Sequence, residues 1–154
     1  MADPTPALIA ALHHTADRLA QGAKFQWGHY GECNCGHLAQ TLTGHSSGEL
    51  LEFAQEREGE WWQQARDYCD TSGYSLHKVI GLMLQTGLSL EDLVHLEYLD
   101  DPEVLRAVPA EALPLERNRR EHAVLYLRAW AQVLEDPRSA PPAPRREPEP
   151  VGML

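Results

Sequence analysis

Leu115-Glu116-Arg117-Asn118-Arg119-Arg120-Glu121-His122-Ala123-Val124-Leu125-Tyr126-Leu127-Arg128-Ala129-Trp130-Ala131-Gln132-Val133-Leu134-Glu135 is the stretch that decides the fold. Ala123, Tyr126, Leu127, Trp130, Val133 and Leu134 recur at three and four residues, the spacing of one helix face. Upstream, the same period returns. Leu8, Ile9, Leu12, Ala16 and Leu19 share a face that stops near Gly22. Ser46 with Glu49 forms a capping box ahead of Leu50, Leu51, Phe53 and Ala54. Gly59 should break or kink that helix, and Trp61, Trp62 and Ala65 resume a helical pattern toward Cys69. Ser75 can cap a helix with Val79, Ile80, Met83 and Leu84, closed by Gly87. Ser89 and Asp92 open another, and Asp101-Pro102 starts a short turn of helix. Alternation at period two is nowhere sustained, and no repeat is evident. The expectation is an all-α domain over residues 1–136, an irregular bundle of five or six helices with a Gly/Cys/His-rich loop.

Residues 137–154 differ in composition. They hold six of the eleven prolines and little to bury, which predicts a disordered tail prone to polyproline II structure. At 154 residues and 17.3 kDa the chain fits one domain, and 43% hydrophobic residues suffice for a core. The net charge is −10, and the tail's three arginines against two glutamates leave −11 for the first 136 residues. Such a surface repels phosphate backbones and anionic lipid, so nucleic acid and membranes are excluded as expected partners. No apolar run approaches the ~20 residues that cross a bilayer. The first residues carry Asp3, Pro4 and Pro6 and no basic leader, unlike a signal peptide. Three cysteines without paired spacing do not suggest a disulfide scaffold, and a cytoplasmic location is expected. Eleven of the thirteen basic residues are arginine, which hints at a GC-rich bacterial genome.

One segment is dense in chemistry: Phe25-Gln26-Trp27-Gly28-His29-Tyr30-Gly31-Glu32-Cys33-Asn34-Cys35-Gly36-His37-Leu38-Ala39-Gln40. Thiolate and imidazole are preferred ligands of zinc and other transition metals, and glycines let near neighbours converge on one ion. Cys69 follows at a helix end, a suitable place for a distant ligand. The leading expectation is therefore a small metal-binding protein. Its candidate ligands are His29, Cys33, Cys35, His37 and Cys69, around zinc or, as variants, iron or an iron–sulfur cluster. A closed four-ligand site would be structural, and an open position would activate water. A carboxylate-bridged di-metal centre is disfavoured, since no Glu-x-x-His pair occurs.

A second expectation is a thiol enzyme or redox protein. Asn34 can cap a helix whose first turn holds Cys35, where the helix dipole favours thiolate. His29 or His77 would then act as base. Asn34-Cys35-Gly36-His37-Leu38 resembles the Asn-Cys-x-His-Phe motif of the permuted NlpC/P60 and lecithin-retinol-acyltransferase-like cysteine hydrolases. The resemblance covers five residues. It implies Cys35 as nucleophile and a general-base histidine that precedes it on a papain-like sheet. The longer run from Trp27 to Gln40, with the later Asp67-Tyr68-Cys69, resembles a family of bacterial proteins that brings no assigned activity with it.

A third expectation is a helical interaction module without chemistry, in which the motif is a tight packed turn. Its partner would be a protein or a small molecule. Trp27, Trp61 and Trp62 could line a pocket or fill a core. His13, His14, His45, His95 and His122 fit ordinary surface or boundary roles. Arg117, Arg119 and Arg120 form a small basic cluster at a helix start.

Overall fold

The computed structural model describes residues 1–136 and Arg138. The expected tail, 137–154, otherwise lies outside the described residues. Among the described residues the chain is all-helical, without strands. The α-helices are α1 (Pro6–Ala20), α2 (Asn34–Thr43), α3 (Ser47–Ala54), α4 (Trp61–Arg66), α5 (Ser75–Gln85), α6 (Leu90–Tyr98), α7 (Pro102–Leu105) and α8 (Arg120–Glu135). A 3₁₀ turn covers Ala110–Ala112.

Eight described α-helices exceed the expected five or six. The excess comes from short pieces: α4 has six residues and α7 has four. Gly59 separates α3 from α4 outright, because its φ of 122° lies in the left-handed region.

Local signals explain most boundaries. Thr5 caps α1 by accepting from Leu8 N, with Pro6 at the first position, and Gly22 follows its end at φ 99°. The Ser46–Glu49 and Ser89–Asp92 capping boxes both form. Ser75 does not cap α5. Tyr74 takes that place, and Ser75 gives its N–H and hydroxyl to Glu56 (2.8 and 3.0 Å). Helix α8 begins at Arg120, five residues later than the apolar period suggests. The Arg117 carbonyl is taken by Asn34 Nδ2 (3.4 Å), and Glu116 N donates to His122 Nδ1 (2.7 Å). These tertiary bonds hold the segment before Arg120 out of the helical ladder.

Helices α1 and α8 form the main pair. The first buries Leu8, Leu12 and Leu19, and the second Tyr126, Leu127, Trp130 and Leu134. Each such side chain contributes about 1.5–3 kcal/mol by leaving water. Helix α2 runs through the middle, against α1, α3, α5 and α6, while α4 lies across α6 and α5. The start of α2 is thereby enclosed, and the Cys/His-rich loop before it is pressed between α3, α4 and α6. Among the described residues, no single helix is long and apolar enough to cross a membrane. Helices α5 and α6 reach that length only across a 102° bend.

Candidate functional site

The loop from Phe25 to Cys33 is closed by its own backbone. Gln26 N donates to Glu32 O (3.1 Å), and Glu32 N and Cys33 N both donate to His29 O (3.0 Å each). Two glycines are required by close approach. A Cβ on Gly31 would stand 2.1 Å from Ser47 O, at the start of α3. One on Gly36 would stand 2.2 Å from Tyr30 O. Gln40 Nε2 clamps the loop further by donating to Gly31 O.

The residues of the motif have defined places. Cys33, not Asn34, is the N-cap of α2, and its Sγ accepts from Gly36 N (3.4 Å). Asn34 is the first helical residue instead. Its buried amide donates to Leu96 O, Glu97 O and Arg117 O (3.3, 3.3 and 3.4 Å), tying α2 to α6 and to the segment before α8. Cys35 does lie in the first turn, as the sequence predicts. It is wholly buried, and its thiol donates to Leu93 O (3.4 Å). Burial pushes the Cys33 thiol up to about 12 and raises Cys35 well above the ordinary thiol value. Low dielectric thus outweighs the helix dipole here, and both sulfurs are held as thiols.

His37 is buried beneath α1. Its Nε2 donates to Lys24 O (2.8 Å), and Nδ1 faces Arg18 Nη1 (3.4 Å). Burial lowers its pKa, so the ring is neutral. His29 turns Nδ1 to Gly31 N, from which it accepts (3.1 Å). Cys69 is exposed beyond α4, with Sγ 3.3 Å from Thr71 Oγ1, and hydrogen bonds from Thr71 lower its pKa. His77 neighbours Cys69 and not Cys35. Its Nδ1 meets Ser72 Oγ (2.8 Å) and accepts from Cys69 N (3.3 Å).

The structure therefore brings Cys33 and Cys35 to one helix start, and leaves His37 and Cys69 bonded elsewhere. Among the described residues, no three His, Cys, Asp or Glu side chains gather at metal-ligand spacing. In this geometry His29, Cys33, Cys35, His37 and Cys69 are not gathered at one point.

What the loop does build is a cavity of about 60 Å³. Trp27, His29 and Tyr30 line it from the loop, Glu60 and Trp61 from the start of α4, and Glu97 from the end of α6, with Cys33 beneath. Tyr30 and Trp61 lie with ring centroids 5.7 Å apart, and the Trp61 indole N–H donates to Tyr30 O (3.1 Å). The Tyr30 hydroxyl is buried beside Gln64 and falls short of an ordinary hydrogen bond. Burial pushes that phenol up to about 12, and Gln64 lowers it only in part.

Glu97 is 7% exposed. Its Oε2 accepts from Trp62 N (2.8 Å), an otherwise orphaned donor in the first turn of α4. Its Oε1 makes no hydrogen bond among the described residues. Burial, with Glu60 adding repulsion, pushes Glu97 up to about 7, although Trp62 N and Arg117 oppose the shift. Glu60 accepts from the Trp62 indole through Oε2 (2.9 Å). Beside the cavity, the Arg117 guanidinium stacks over Trp27 (4.3 Å) and Tyr98 (4.8 Å).

The sequence singles out Glu60 only as a candidate oxygen ligand to iron or manganese, and it does not single out Tyr30 or Glu97 as site residues. One signal was available for Glu97: it follows Leu93 by four residues, on the apolar stripe of α6. No known protein family, curated protein or solved structure matches the chain.

Proposed function

We propose that the protein is a helical binding module whose recognition site is the cavity walled by Trp27, Tyr30, Trp61 and Glu97. One observation carries this reading. The chemistry-bearing run spends its cysteines and His37 on internal bonds, and the same run opens an aromatic cavity toward a buried carboxylate. A concave site lined by rings, with a few convergent polar groups, is the usual form of a small-ligand or side-chain pocket. Cys33 and Cys35 serve it by fixing the loop. Cys35 donates to Leu93 O, and Cys33 accepts from Gly36 N at the floor of the cavity.

The test is a set of nitrogen-15 correlation spectra of the full chain, titrated with small probes of positive, neutral and negative charge. The expected result is a saturable shift of the Trp27 and Trp61 indole signals with at least one probe. The Cys33→Ser/Cys35→Ser double variant, where it retains the native spectrum, keeps that response. Silence from every probe refutes the reading. So does loss of the response in a folded double variant, which would return the thiols to the site.

A further inference from the structure

We infer that the cavity takes the protonated end of a primary alkylamine, a –CH₂–NH₃⁺ group. The inference rests on the reading above that this cavity is the binding site, and it names the ligand chemistry.

Charge selects first. Glu97 and Glu60 both face the cavity, and neither has an ion-pair partner within 4.0 Å among the described residues. An anion would meet two carboxylates in a partly desolvated space, where repulsion is poorly screened. A neutral donor could bond the free oxygen of Glu97 but would leave both charges uncompensated. A cation supplies what both carboxylates lack.

The walls select the same charge. Trp27, Tyr30 and Trp61 present π-systems, and cations are drawn to such faces. The molecule already shows the preference next to the cavity, where the Arg117 guanidinium lies over the Trp27 and Tyr98 rings. Size narrows the class further. The cavity is small, about 60 Å³, and suits the end of a chain better than a bulky head. A primary ammonium also offers three donors. Two carboxylates of the site can accept, through Glu97 Oε1 and a Glu60 oxygen.

The amine can come from a free small molecule or from a lysine side chain of a polypeptide. The test compares four probes on the full chain at pH 8: n-butylamine, 1-butanol, butyrate and Nα-acetyl-lysine N-methylamide. The Trp27 and Trp61 indole signals report binding. The expected result is saturation by butylamine with a dissociation constant at least ten-fold below that of butanol, and no response to butyrate. Ten-fold corresponds to about 1.4 kcal/mol. Glu97→Gln should weaken butylamine to the level of butanol. An equal or stronger response to the lysine derivative assigns the site to a polypeptide partner, and a response to butylamine alone assigns it to free amines. Butanol binding as well as butylamine overturns the inference, as does an unchanged butylamine affinity in Glu97→Gln. Either result leaves the cavity as a binding site. Silence from all four probes removes that site together with the inference.

Discussion

Replacing Glu97 by Gln should stabilise the protein, and only above a defined pH. The carboxyl ionises at about 7 in the folded chain, against an ordinary value of 4.5. At 1.36 kcal/mol per pK unit, that difference corresponds to a cost of about 3 kcal/mol for holding the charge in place. Solvent reaching Glu97 through the cavity screens part of it, which leaves about 2 kcal/mol. The sign follows from proton uptake. Between 4.5 and 7 the folded chain keeps a proton on Glu97 that the unfolded chain has lost, so stability falls as pH rises through this window. Glutamine has the same shape, keeps an acceptor for Trp62 N and carries no charge. Urea unfolding of both proteins at pH 4, 5, 6, 7 and 8 measures the effect. The variant should exceed the parent by about 2 kcal/mol at pH 8. Its advantage should shrink below pH 7 and vanish near pH 4. A difference that stays flat with pH, or a variant weaker than the parent at pH 8, would refute the claim that Glu97 is a costly buried charge.

Three further outcomes follow from the loop. Gly36→Ala places a Cβ against Tyr30 O and should cost about 1–3 kcal/mol or more in urea unfolding, with Gly48→Ala, whose Cβ meets only Ser46 Oγ at 4.0 Å, as a mild control. Iodoacetamide should label Cys69 in the native protein and reach Cys33 and Cys35 only in denaturant, as mass spectrometry of peptides will show; fast native labelling of Cys35 would revive a thiol mechanism. Dialysis against EDTA should leave the thermal midpoint unchanged. A fall of several degrees, recovered with zinc, would support Cys33 and Cys35 as metal ligands.

The helices were legible where the signal is local. Thr5, Ser46 and Ser89 sit beside the donors they satisfy, so spacing alone locates α3 and α6. Gly22, Gly59 and Gly87 mark breaks because their left-handed φ values suit no other residue well. Long-range partners were not legible. Ser75 has a capping side chain by type, but Glu56 claims its hydroxyl from nineteen positions away. Asn34 is a good cap by type, but its amide reaches α6, and the cap falls to Cys33, whose sulfur is a weak acceptor. The same limit applies to the site. Two cysteines and two histidines in ten residues suggest a shared ion because sequence spacing counts residues, while side-chain direction depends on α2. Once Asn34 begins that helix, the sulfurs at 33 and 35 project differently, and His37 faces α1.

The buried acids show why Glu97 stands apart. Asp92 is buried and accepts the N–H and hydroxyl of Ser89 (2.8 Å each), closing the capping box of α6. Asp101 is buried and caps Glu103 N (2.9 Å) at α7. Glu32 is buried and faces Lys24 at 3.8 Å. Asp92 and Asp101 each have a local use for their charge, and Glu32 has the Lys24 pair although its Oε2 makes no hydrogen bond. Glu97 also satisfies a helix start, at Trp62 N, but with one oxygen, and an uncharged amide could do that as well. Its second oxygen has no structural task, Glu60 repels its charge, and burial makes that charge costly. A fold gains nothing from retaining such a group in that state. A binding site gains selectivity for a cation, at the expense of stability in the empty protein. The two measurements on Glu97→Gln are therefore coupled: the variant that folds more tightly at pH 8 should be the one that no longer tells butylamine from butanol.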